Sequence, residues 1–237
     1  MKKVILLFMI SLFGMAAMAQ SSVYMYKTDG TVVPYKIATV DSISFTSPDV
    51  LINGVYWASR NVAAPGTFAA SPEDAGYFYQ WNNKEGWPAT GAIGSIIATN
   101  GTTTWNSSWN GGFITASASD TWATSRDPSP AGYRVPTYAE LQTLGDATKV
   151  TKAWTTQNSV SGYKFTDRAS GNSIFLPASG CRDGSDGTLF GAGLGGYYWN
   201  NLAFYASYAY CLGFNSSFDN WNANGRAAGF AVRPVAE

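Results

Sequence analysis

The sequence predicts an α+β, β-rich chain: short strands and one or two short helices, preceded by a small N-terminal β meander. Three observations predict it. Short runs rich in Val, Ile, Tyr, Phe and Trp recur between clusters of Gly, Asn, Asp and Pro, the signature of strands joined by turns. Asp29-Gly30 stands between β-formers, a strong hairpin signal. Only one segment carries the start signals of a helix.

The chain opens on an export signal. Lys2 and Lys3 precede the apolar run from Val4 to Phe13, and Ala17-Met18-Ala19 is the small-x-small pattern of a cleavage site. Residues 1–19 are therefore expected to be a signal peptide cleaved between Ala19 and Gln20. The run is shorter than the roughly 20 residues a spanning helix needs. The first cysteine is Cys181, which excludes a lipoprotein anchor beside the signal, and no later segment is apolar for long enough to cross a bilayer. The expected location is secreted, periplasmic or at the outer surface of a Gram-negative cell, with no membrane span in the mature chain.

Residues 20–48 read as the hairpin or meander. Val23 to Tyr26 and Val32 to Tyr35 flank the Asp-Gly turn, Pro34 implies an edge strand, and a third alternating run spans Val40 to Phe45. Residues 49–237 read as one domain. Its strand-like runs are Ile52 to Trp57, Gly76 to Trp81, Ser173 to Pro177, Gly196 to Trp199 and Phe204 to Phe214. Residues 86–127 have no clear period and read as a long irregular segment of the kind that carries function or varies within families. The Trp-Asn pairs at 81, 105, 109, 199 and 221 are too unevenly spaced for a structural repeat. The helix is expected over Tyr138 to Leu144, with Thr137 and Glu140 as a capping box, Leu141 and Leu144 toward the core and Gly145 ending it. That capping position, rather than acid catalysis, accounts for Glu140.

Composition then removes whole classes of chemistry. Lys2 and Lys3 leave with the signal, so 15 basic residues fall to 13 against 15 acidic ones, a net charge of −2. This is no footprint for nucleic acid. Charged residues are 13% of the chain, so the surface must be built largely from Ser, Thr, Asn, Gly and rings. There is no histidine, which removes Ser-His and Cys-His nucleophiles and histidine metal sites. No paired carboxylates stand at a motif spacing, and no cofactor or metal is expected. In an oxidising compartment Cys181 and Cys211 are expected to form one disulfide. Closing that loop would stabilise the fold by roughly 3–4 kcal/mol. Two buried free thiols that never meet are the alternative.

Three stretches carry a family resemblance: Ile52-Asn53-Gly54-Val55-Tyr56-Trp57-Ala58-Ser59-Arg60-Asn61-Val62 with Tyr79-Gln80-Trp81; Pro130-Ala131-Gly132-Tyr133-Arg134-Val135-Pro136-Thr137 with Glu140; and Leu176-Pro177 through Gly196-Tyr197-Tyr198-Trp199, closing at Gly229-Phe230-Ala231-Val232-Arg233. In this order they resemble the Fibrobacter succinogenes major paralogous domain family of secreted Bacteroidetes and Fibrobacteres proteins. The Arg-Val-Pro-Thr-x-x-Glu helix start and the Gly-Phe-x-Val-Arg close also look like the C-type-lectin-like and sulfatase-modifying-factor fold. The strands from Val23 to Phe45 look like the N-terminal segment of secreted Bacteroidetes proteins. The family often has cysteines where this chain has Ser129 and Pro234, which implies that a staple is absent here and that Cys181 and Cys211 form a different one, between neighbouring strands. The active-site cysteines of the distant enzymes have no counterpart.

Two constellations remain. Residues 182–187 superficially resemble a calcium loop but lack its bidentate glutamate, and Asp186-Gly187 reads as a hairpin turn. Calcium-dependent sugar triplets do not occur. Tyr198, Trp199, Asn200, Asn201, Tyr205, Tyr208, Asn220, Trp221 and Asn222 form the candidate binding surface, rings to pack on apolar faces and amides to bond hydroxyls. The competing reading places those rings in the core of a domain short of Leu and Ile. The sequence thus points to a non-catalytic recognition and adhesion module for glycan or surface protein, through residues 196–222 and the 86–127 loops. A fimbria-like accessory component is the second reading and an enzyme the third.

Overall fold

A computed structural model of the chain describes residues 22–26, 31–36, 49–113 and 116–237. The signal segment with Ala19 and Gln20, the Asp29-Gly30 turn and the run from Val40 to Phe45 lie outside the described residues. Strand makes up 44% and helix 6%, which sets the class as β-rich, in several small sheets. The chain divides into two compact units, Met1–Ser47 and Pro48–Glu237. Among the described residues no helix is long and apolar enough to cross a membrane.

In the first unit β1 (Ser22–Tyr26) and β2 (Val32–Lys36) form an antiparallel ribbon with Tyr24 opposite Pro34. Among the described residues this sheet has two strands, and Pro34 lies on an edge, where proline is tolerated.

The second unit opens with β3 (Asp49–Ile52) and β4 (Val55–Ala58). The sequence reads Ile52 to Trp57 as one run, but Asn53 and Gly54 both have positive φ, 45° and 82°, and turn the chain as a tight hairpin. Next come β5 (Tyr77–Gln80), β6 (Gly86–Pro88) and β7 (Tyr133–Arg134). Helix α1 (Tyr138–Gln142) follows, extended by a 3-10 turn over Thr143–Gly145. Its cap is the expected box. Thr137 Oγ1 accepts the Glu140 N–H at 3.2 Å, and Glu140 Oε2 accepts the Thr137 N–H at 2.8 Å. Arg134 adds a bidentate pair to the same carboxylate, both bonds at 2.7 Å. Leu141 and Leu144 are buried, as the helical spacing requires.

Strands β8 (Val150–Gln157) and β9 (Val160–Asp167) form a hairpin absent from the sequence-based strand set, with positive φ at Asn158 and Ser159. β10 (Ser173–Pro177), β11 (Cys181–Arg182) and β12 (Leu189–Phe190) lead to the longest strands, β13 (Gly195–Tyr205) and β14 (Tyr208–Asn215). The single run expected from Phe204 to Phe214 is therefore broken by a turn at 206–207. β15 (Asp219–Gly225), β16 (Gly229–Phe230) and β17 (Val235–Ala236) close the chain. β17 pairs with both β4 and β7, so the last strand is stitched to the first hairpin of the unit.

The three-stranded sheet β13-β14-β15 is central because both faces of β13 and of the inner part of β14 are covered. Alternation along the strands sends Tyr198, Leu212 and Phe214 into one hydrophobic cluster, together with Trp57, Phe78 and Leu141. Trp199, Ala203 and Cys211 point the other way, into a second cluster with Trp81, Trp122 and Phe230. Three arginines have no exposed surface, Arg182, Arg226 and Arg233. Arg182 gives five hydrogen bonds to the carbonyls of Pro88, Thr90, Gly91 and Gly187. Arg226 reaches the carbonyls of Asn110, Ser117, Tyr205 and Tyr208 and pairs with Asp120 at 2.8 Å. Arg233 binds Asn61 Oδ1 and the carbonyls of Ala58 and Phe175, and burial lowers its pKa to about 10.

Two stability predictions follow from these bonds. The Glu140 carboxyl is lowered from 4.5 to about 2, first by its bonds with Arg134. A depressed acid stabilises the fold above its unfolded pKa, and that share is lost as pH falls from 4.5 toward 2. Glu140→Gln should cost about 1–2 kcal/mol at neutral pH in denaturant melts and flatten the loss across that window. Arg226→Met leaves the Asp120 charge without its partner and should cost about 3–5 kcal/mol. Asp120→Asn should cost clearly less, because the guanidinium keeps its four carbonyls.

Candidate functional site

The candidate residues separate into those the fold consumes and those it presents. Tyr198, Trp199 and Asn200 have no exposed surface. Tyr198 donates its hydroxyl proton to the Pro177 carbonyl at 2.8 Å. Trp199 stacks on Phe230 at 4.2 Å and donates its indole N–H to the Tyr79 carbonyl at 2.7 Å. The Asn200 carbonyl accepts the Trp81 indole N–H, and its Oδ1 accepts the Leu202 N–H. These three cannot touch a ligand, which corrects the expectation for them. The physical reason is that the central sheet is covered on both faces, so its middle residues are core whichever way they point.

Trp221 is half-buried against the first cluster, with its ring over Gly145. Asn201 is half-buried and lines a hollow of about 290 Å³ with Asp127, Arg134 and Glu237. Two of the charges in that hollow already have partners. Asp127 accepts the Ser129 and Val135 N–H groups, each at 2.8 Å, and Arg134 is held by Glu140.

Tyr205 and Tyr208 are exposed, at 61% and 47%, and Tyr205 belongs to a larger feature. Tyr205 packs on Phe204 at 4.5 Å, Phe204 on Tyr210 at 4.9 Å, and Tyr210 on Tyr138 of α1 at 4.4 Å. Four rings thus run in unbroken contact from the tip of the β13–β14 hairpin to the helix. Phe204, Tyr210 and Tyr138 were absent from the sequence-derived set. The turn at 206–207 turns a linear run into two facing strands, and no residue in that run marks it strongly.

The loops of 86–127 are held by the same economy of donors. The indole N–H groups of Trp105, Trp109 and Trp122 donate to the carbonyls of Gly184, Trp81 and Arg126. In the expected hairpin after Arg182, Asp183 accepts from Ser185 and Asp186 from Thr188, while β11 pairs with β12 around them.

Comparison of the chain with protein-family models, curated proteins and solved structures finds no match.

The expected Cys181–Cys211 bridge is not formed: both are free, buried thiols. Cys211 lies in β14, on one side of β13. The parallel bridges Gly180↔Gly196 and Tyr198↔Ala231 put Cys181 on the other side. Two strand spacings, about 9–10 Å, separate those backbones, beyond the ~7 Å a disulfide allows. Burial is the first cause raising both thiols to about 12. A thiol reagent should therefore find two free thiols per chain in denaturant, and react roughly a hundredfold more slowly with the native protein. Finding none after unfolding would show a bridge instead.

Proposed function

We propose that this chain is an exported, non-catalytic recognition module that binds glycan through the aromatic strip at the end of its central sheet. One observation carries the reading: Tyr138, Tyr210, Phe204 and Tyr205 form a contiguous, solvent-reaching row of rings. The rings meet edge to face, at 70° and 64° about Phe204, and offer apolar faces and edges to the C–H face of pyranoses, while a surface poor in charge suits a neutral ligand.

The fold is read as C-type-lectin-like, in the manner of the paralogous domain family of secreted Bacteroidetes proteins. Residues that carry that resemblance have structural work: Thr137 and Glu140 cap α1, and Arg233 ties β17's neighbourhood to Asn61 and β10. A second reading, an accessory surface component that assembles by strand addition, draws on the β1–β2 ribbon, a two-stranded sheet among the described residues.

A glycan array of the mature protein, run with and without EDTA, tests the first reading. Binding should survive EDTA. The Phe204→Ala/Tyr205→Ala variant should keep its circular dichroism and melting point and lose roughly tenfold in affinity. An array blank for every glycan would overturn the sugar reading in favour of a protein partner.

A further inference from the structure

We propose that the groove along β15 is a second saccharide site, which takes a neutral sugar on a row of oriented amide donors. It rests on the glycan reading above but uses the opposite face of the sheet, because Cys211, which lines the groove, alternates with Tyr210 of the strip.

β15 is the outer strand of its sheet. The backbone bonds Asn215 N–H to Phe218 carbonyl and Arg226 N–H to Ser207 carbonyl, both 2.9 Å, fix its hydrogen-bonding parity. Residues 220, 222 and 224 then bond to β14, and the N–H groups of Asp219, Trp221, Ala223 and Gly225 point outward along the open edge. Two of those four are answered by the preceding side chain. Ala223 N–H donates to Asn222 Oδ1, and Gly225 N–H to Asn224 Oδ1, each at 2.8 Å. With its oxygen engaged, each amide is oriented and keeps its NH2 group for another acceptor.

Asn220, Asn222 and Asn224 are exposed on one face of the strand, with successive side chains about 6.8 Å apart. Exposed Phe218 stands at one end, and Tyr197 and Cys211 lie beneath, in a groove of about 130 Å³. The lining holds no carboxylate, lysine or arginine. Burial raises both the Cys211 thiol and the Tyr197 phenol, so both are neutral at physiological pH.

This chemistry selects its ligand. Oriented NH2 groups call for oxygen acceptors. The absence of a lining cation disfavours carboxylates, sulfates and phosphates. Phe218 offers one apolar wall for a sugar face. A neutral oligosaccharide meets all three conditions. A peptide strand added to the edge meets fewer, because the Asn222 and Asn224 caps already occupy two of its four outward donors.

The test is an NMR titration of the mature protein with cellohexaose, maltohexaose, mannohexaose and, as the charged control, hexagalacturonate. Side-chain NH2 signals of Asn222 and Asn224 and ring signals of Phe204 and Tyr205 are followed together. The NH2 signals should shift saturably with at least one neutral hexaose and not with the uronate. Asn222→Asp/Asn224→Asp keeps both caps, since an aspartate oxygen accepts the same N–H, but removes the donors. It should bind that hexaose roughly tenfold more weakly. Asn220→Ala, which touches neither cap, should weaken binding in the same direction and serves if the double variant fails to fold. Unmoved NH2 signals with all three neutral sugars, or an equal response to hexagalacturonate, overturn the proposal. Shifts confined to the rings overturn the groove and leave the strip standing; shifts confined to the amides do the reverse.

Discussion

The fold depends on supplying hydrogen-bond donors to carbonyls that neither helix nor sheet can satisfy. With 25 glycines and long irregular connections, this chain turns many backbone carbonyls inward, and buried carbonyls must be paired. Arg182, Arg226 and Arg233 answer them with forked guanidinium groups, each joining segments far apart in sequence. Only Arg226 has a carboxylate partner among the described salt bridges. A guanidinium ringed by carbonyl dipoles keeps its charge without an ion pair, which suits a chain with so few acidic residues.

Three of the buried tryptophans follow the same rule. The rings of Trp81, Trp105 and Trp199 fill the clusters, while their N–H groups pin the carbonyls of Asn200, Gly184 and Tyr79. The asparagine of each Trp-Asn pair accepts a backbone N–H through Oδ1: Asn106, Asn110, Asn200 and Asn222 from a residue one or two positions on, and Asn82 from distant Ala123. The Trp-Asn pair thus recurs without a repeated spacing, and in four of the five pairs its amide is a local acceptor. Because the core uses six of the nine tryptophans, the rings left most exposed are those of Tyr and Phe, beside the asparagines of an edge strand.

What was legible in the sequence follows the range of the interactions. The α1 cap was readable because Thr137 and Glu140 are three residues apart and bond to each other's backbone. The Asn53-Gly54 turn has an equally local signal, but the apolar residues on either side mask it and make the segment look like one strand. The β8–β9 hairpin turns at Asn158-Ser159, a weaker pair than Asn-Gly, between strands whose alternation is blurred by threonines. In the candidate site, Tyr205, Tyr208, Asn220 and Asn222 were found and are exposed, whereas Tyr198, Trp199 and Asn200 belong to the core.

The amino-acid order alone determined the strand-rich class, the capped helix and the absence of histidine-based chemistry, since these depend on composition or on neighbours within a few residues. Only the tertiary structure decided which rings are presented and whether the cysteines meet. Both questions turn on β13: its two faces are covered by separate clusters, which buries Trp199, and its two edges hold Cys181 and Cys211 apart. A strand's alternation says that neighbouring side chains point to opposite faces. It does not say which of those faces the rest of the chain will cover.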